Sequence, residues 1–153
     1  MFAGRASNAA IGLSIVVESG KATAYVCDGN TLEVWLQGAI EGDRVELTSK
    51  AGASLSGTVN GQSMSGQILT PSAQISFLAS AAEPPAGVYR AEIEVNGHMT
   101  RIGWAVLPDG TQLGVSQTGE DGVPAPALDT STGTFSLNGR TYQAALVPAG
   151  GLR

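Results

Sequence analysis

Apolar and polar residues alternate most regularly between Ala86 and Val115, AGVYRAEIEVNGHMTRIGWAVLPDGTQLGV. The pattern predicts three β-strands joined by tight turns at Asn96-Gly97 and Asp109-Gly110. Both dipeptides suit type I′ turns, whose two central residues need φ > 0. With two-residue loops, Val95 faces His98, Ile93 faces Thr100, Ala91 faces Ile102 and Tyr89 faces Trp104. In the next hairpin Val106 faces Leu113 and Trp104 faces Val115. One face then collects Tyr89, Ala91, Ile93, Val95, Ile102, Trp104, Val106, Leu113 and Val115. The other collects Glu92, Arg101, Gln112 and Ser116, with Glu92 and Arg101 placed for an exposed cross-strand ion pair. Alternation that keeps its phase across two turns is the mark of a one-sided antiparallel sheet.

Upstream, residues 11–18, 21–28 and 31–40 are strand-like and flank Ser19-Gly20 and Gly29-Asn30. Two-residue turns there put Tyr25, Cys27, Leu32, Val34 and Leu36 on one face. They put Leu13, Ile15, Val17, Ala22, Ala24, Val26 and Trp35 on the other. Strands apolar on both sides are either covered on both sides or carry an interface. If nothing internal covers the second face, a symmetric homodimer would bury it. Residues 43–49, 53–59, 62–69 and 74–80 continue the series. Asn60-Gly61 is read as the turn that points Leu55, Val59, Met64 and Ile68 inward. The prolines of 81–86, AAEPPA, end a strand. Residues 119–131 read as one long loop, and 133–147 as a hairpin about Asn138-Gly139 in which Phe135 faces Tyr142.

The expected fold is all-β: an antiparallel up-and-down meander of about twelve strands closing into a barrel or flattened barrel. A two-sheet β-sandwich, with residues 83–86 as the change of sheet, is the competing arrangement. Residues 11–149 are expected to form a single β domain, with 1–10 and 150–153 as flexible termini. The expected core is Tyr25, Val34, Leu36, Leu55, Ile75, Phe77, Tyr89, Ile93, Ile102, Trp104, Val106, Leu113, Phe135, Tyr142 and Leu146.

Composition narrows the function. The 153 residues are 42% hydrophobic and 14% charged, with 21 glycines and a net charge of −5. Eight Lys and Arg without a basic cluster argue against nucleic acid, which demands a concentrated positive patch. No apolar run reaches the ~20 residues of a membrane-spanning helix, so this segment is not expected to insert into a membrane. Met1-Phe2-Ala3-Gly4-Arg5 does not read as a signal peptide. The single cysteine, Cys27, allows no intrachain disulfide and is expected to be a small buried hydrophobe.

Chemical motifs are sparse. His98 is the one histidine, without a recognisable nucleophile or orienting carboxylate. Gly61-Gln62-Ser63-Met64-Ser65-Gly66 lacks the G-x-S-x-G spacing of a nucleophile elbow. Glu120, Asp121 and Asp129 lack the spacing of a calcium loop. No catalytic residue, cofactor or metal site is therefore assigned. Trp35, flanked by Glu33 and Gln37, is the candidate binding locus, because an aromatic ring beside hydrogen-bonding groups suits a sugar or a protein partner.

Four segments, AYVCDG (24–29), EVWLQG (33–38), AGVYRAE (86–92) and GWAVLPDG (103–110), resemble a loosely defined group of actinobacterial extracytoplasmic β-rich proteins. These are secreted or membrane-anchored and mostly of unknown function. The resemblance implies a location outside the cytoplasmic membrane and attachment to larger proteins, for example as the sensor ectodomain of a membrane receptor or kinase. The leading expectation is a non-catalytic extracytoplasmic domain that binds a protein partner or a small ligand. A barrel-type carrier of small apolar ligands and an unidentified hydrolase are the alternatives.

Overall fold

In a computed structural model the chain is described over residues 1–6 and 10–149. It is all-β, with no helix among the described residues. The first eight strands are β1 (Phe2–Ala6), β2 (Gly12–Glu18), β3 (Lys21–Cys27), β4 (Glu33–Glu41), β5 (Arg44–Thr48), β6 (Ser54–Asn60), β7 (Ser63–Leu69) and β8 (Gln74–Ala81). They pair in chain order as an antiparallel meander, and β1 pairs with both β2 and β8 to close a barrel. The expected flexible terminus is thus corrected over residues 2–6. The five residues FAGRA are too short and mixed a run to give a period-2 signal, yet their backbone completes two hydrogen-bond ladders. Residues 7–9 and 150–153 lie outside the described residues.

The barrel interior is filled by side chains, as expected for eight strands. Leu13, Ile15, Ala24, Val26, Leu36, Val45, Leu47, Leu55, Met64 and Ile68 are all buried there. Close strand packing needs glycine at Gly66, where a Cβ would run into the Ser56 carbonyl oxygen. Leu13, Ile15, Ala24 and Val26, offered as a dimer face only if nothing internal covered them, belong to the interior. The homodimer built on that face has no patch to bury.

The chain leaves the barrel through residues 82–86. The strands that follow are β9 (Gly87–Val95), β10 (His98–Val106), β11 (Gln112–Thr118), β12 (Asp121–Pro124), β13 (Leu128–Asp129), β14 (Thr134–Leu137), β15 (Arg140–Gln143) and β16 (Ala145–Leu146). They form a five-stranded sheet in the order β12-β11-β10-β9-β16 and a three-stranded sheet β13-β14-β15. The five-stranded sheet is the middle layer. One face packs on the outside of the barrel through Val88, Ala105 and Val115 against Tyr25 and Cys27. The other packs on the small sheet through Tyr89, Ile102 and Trp104 against Leu128 and Phe135. Trp104 is almost fully buried, and its Nε1 donates to the Pro126 carbonyl at 2.8 Å.

Several turns follow their local chemistry. Ser19, Asn96 and Asn138 have positive φ, each followed by a positive-φ glycine, and pair their hairpins as the sequence predicts. Three do not. The loop after Asp28 holds three residues, because Asp28 Oδ1 accepts from the backbone N–H of Asn30, Thr31 and Leu32. Asp28 then pairs with Leu32, so Tyr25 lies opposite Trp35 and Val26 opposite Val34. The loop after Leu107 also holds three residues, with Thr111 N–H donating to Asp109 Oδ1. Trp104 therefore faces Gly114, and Leu113 and Val115 turn to the barrel. A one-residue slip exchanges the faces of a strand. In the hairpin of β6 and β7, Val59 pairs with Met64 rather than Gln62. That slip is two residues, so the inward stripe is unchanged.

Two further expectations are corrected. Leu146 is exposed, because β16 is an edge strand. The presumed long loop 119–131 contains β12 and β13, and Gln112 fixes it by donating to and accepting from the Leu128 backbone.

Candidate functional site

The slip at Asp28 places Trp35 on the outside of the barrel, at the seam with the five-stranded sheet. A cleft of about 390 Å³ opens there. The three residues singled out in the sequence, Glu33, Trp35 and Gln37, alternate along β4 and all line it. Strands β9 and β10 bring Arg90 and Arg101, and the end of β5 with the segment after it brings Thr48, Ser49 and Lys50. Charge repulsion would keep such cations apart unless something holds them, and two anchors do.

Arg101 donates from Nε and Nη2 to Glu33 Oε1, at 3.1 and 2.6 Å. Glu33 Oε2 accepts from the Tyr25 hydroxyl at 3.0 Å, and that hydroxyl accepts from Val115 N–H at 3.3 Å. This chain ties β11, β3, β4 and β10 together. Glu33 is 5% exposed at its side chain and Arg101 40%, so the acid is inside and the guanidinium reaches the opening. Burial, reinforced by the charges at Cys27 and Glu33, pushes the Tyr25 phenol well above its ordinary range, so it remains a hydrogen-bond donor. Burial likewise pushes the Cys27 thiol up to about 12.

Arg90 lies over the Trp35 ring at 4.8 Å from its centroid and donates from Nη2 to Glu92 Oε1 at 2.6 Å. Tyr25 lies 4.3 Å from Trp35, centroid to centroid. The half-buried indole is held by these neighbours, while its Nε1 is buried with no hydrogen-bond partner among the described residues. Gly103, opposite Arg90 in the ladder, makes room for this packing. A Cβ there would lie 2.5 Å from Trp35 Cζ2 and 2.8 Å from the Tyr25 ring.

The expected ion pair between Glu92 and Arg101 does not form. The two are cross-strand partners, but Arg101 turns to Glu33 and Glu92 to Arg90. A buried carboxylate aimed at the seam outcompetes an exposed one, since exposed pairs contribute little. Sequence reading found the β4 residues and missed Arg90, Arg101 and Lys50, which come from segments distant in the chain. The exposed His98 lies at the tip of a hairpin. Asp129 caps its own turn by accepting from Ser131 N–H and Oγ. No group of three His, Cys, Asp or Glu that could hold a metal ion occurs among the described residues, and none of their helices is long and apolar enough to cross a membrane.

No family model, curated protein or solved structure matches this chain.

Proposed function

We propose that this protein is a non-catalytic binding domain that works outside the cytoplasmic membrane, as a secreted binder or the sensor ectodomain of a larger protein, with the cleft at Trp35 as its ligand site. One observation carries the reading. An acidic chain with eight Lys and Arg places three of them, Lys50, Arg90 and Arg101, around one cleft. Two of these are immobilised by neighbours before any ligand arrives. Preorganised polar groups on the wall of a cleft of this size are what small-molecule sites need.

The groups in the cleft are already engaged in ways that suit holding rather than reacting. Both Glu33 oxygens accept hydrogen bonds, and the Ser49 hydroxyl accepts from Ala53 N–H. The filled barrel interior argues for binding at this outer seam over carriage inside the barrel. The extracytoplasmic setting rests on the four resembling segments and on the low lysine content.

The two tryptophans make the binding reading testable. Their indole N–H resonances in a ¹⁵N-labelled sample report separately on the cleft (Trp35) and the core (Trp104). A mixed library of sugars, amino acids, carboxylates and neutral aromatics should contain compounds that shift Trp35 saturably and leave Trp104 in place. A library that moves neither would defeat the binding reading. Recovery of the native protein in the cytosolic fraction of its source cells would defeat the extracytoplasmic one.

A further inference from the structure

We infer that the cleft selects small organic carboxylates, an assignment that rests on the binding reading above. Three cations line it against one carboxylate, Glu33, whose two oxygens are both occupied. Glu92, outside the lining, pairs with Arg90, so one net positive charge remains at the cleft, on Lys50, while both guanidinium groups keep unused donors. Arg101 spends Nε and Nη2 on a single oxygen, and its Nη1 carries no hydrogen bond among the described residues. Arg90 spends one face on Trp35 and Nη2 on Glu92, leaving Nε and Nη1. Lys50 is exposed and has no ion pair among the described residues.

Guanidinium forks match the planar, two-oxygen geometry of a carboxylate. Because both arginines are held by protein contacts, little of their side-chain freedom remains to be lost on binding. The rest of the wall suits a compact organic body. Val34, Ala53 and Pro71 offer apolar surface, while Gln37 and Thr48 offer neutral hydrogen-bonding groups. A bare structural ion pair between Arg101 and Glu33 would not require Arg90 and Lys50 beside it.

The test titrates ¹⁵N-labelled protein at constant ionic strength with sodium benzoate, sodium succinate, their neutral amides benzamide and succinamide, and sodium phosphate. At least one carboxylate should shift the Trp35 indole saturably, with its amide weaker by about tenfold or more, the worth of one charge-assisted hydrogen bond. Arg90→Gln and Lys50→Gln, which spare the Glu33 anchor, should each weaken that carboxylate severalfold while Trp104 stays in place as proof of folding. Amides that bind as tightly as the acids would overturn carboxylate selectivity and leave the binding cleft standing. Phosphate binding more tightly than both acids would overturn it in favour of another oxyanion. An indole unmoved by both acids but shifted by a neutral library compound would overturn this inference alone. An indole unmoved by every compound would remove the binding reading with it.

Discussion

Arg101 on β10 and Glu33 on β4 are 68 positions apart and share two hydrogen bonds on one carboxylate oxygen, Oε1. Through this contact the five-stranded sheet reads the barrel's register, because a slip of β4 by one residue would point Glu33 into the apolar interior. Removing one partner of a buried pair leaves the other charge uncompensated. With Arg101 40% exposed, Arg101→Ala should cost about 2–4 kcal/mol, below the range for fully buried pairs. The double variant Glu33→Leu with Arg101→Met should recover most of that loss. Urea unfolding of Glu33→Leu, of Arg101→Met and of their combination measures the coupling. Additive losses would show that the contact is incidental.

Gly103 sets how closely Trp35 and Tyr25 approach the sheet. Gly103→Ala forces a methyl group against both rings and should cost about 1–3 kcal/mol by overpacking. The near-ultraviolet circular dichroism of the aromatic cluster should change in the same variant. An unaltered melting temperature and spectrum would show that the seam is loose.

Trp104 fills the space between the middle sheet and the small sheet, 4.9 Å from Phe135, centroid to centroid. Trp104→Ala should lower stability by about 3–5 kcal/mol, through lost burial and the cavity left behind. Chemical denaturation gives the value directly, and a loss below about 1 kcal/mol would contradict the packing described.

Deleting residues 1–6 removes the strand that closes the barrel and bares the edges of β2 and β8. Unpaired edges recruit other strands. The truncated protein should melt at a lower temperature and self-associate in light scattering, whereas the full chain should not do so through this edge. A truncated chain as stable and as monodisperse as the full one would mean that β1 adds nothing.

Alkaline pH should weaken the fold through Cys27. Its thiol ionises at an ordinary value of 9.0 when unfolded and at about 12 when folded, so the folded state favours the neutral form. The unfolded chain loses the proton first. The stabilisation is full below pH 9.0 and is lost progressively up to about pH 12. Stability of the wild type should therefore fall more steeply over that window than stability of Cys27→Ala. The native thiol should also resist a disulfide reagent at pH 8 that titrates it fully in denaturant, consistent with burial.

Strand content, the meander order and three of the turns were legible in the chain. Turn chemistry at Ser19-Gly20, Asn96-Gly97 and Asn138-Gly139 is a local φ preference and needs no distant contact. The candidate cleft was half legible. Glu33, Trp35 and Gln37 follow one another at strand spacing, whereas Arg90, Arg101 and Lys50 reach them only when the second sheet docks on the barrel. Sequence spacing carries no trace of that docking.

The amino-acid sequence by itself determined that this protein is built from β-hairpins and which stripes are apolar, because alternation and turn preference act over a few residues. Only the tertiary structure decided which stripe faces which layer. Asp28 and Asp109 lengthen their loops by one residue through side-chain caps, and burial across the seam rewards the resulting register. In a strand with a period of two, that single residue carries Leu32, Val34 and Leu36 to the barrel interior and Leu113 and Val115 to the seam. The same parity sets Trp35 at the seam beside two arginines from another sheet.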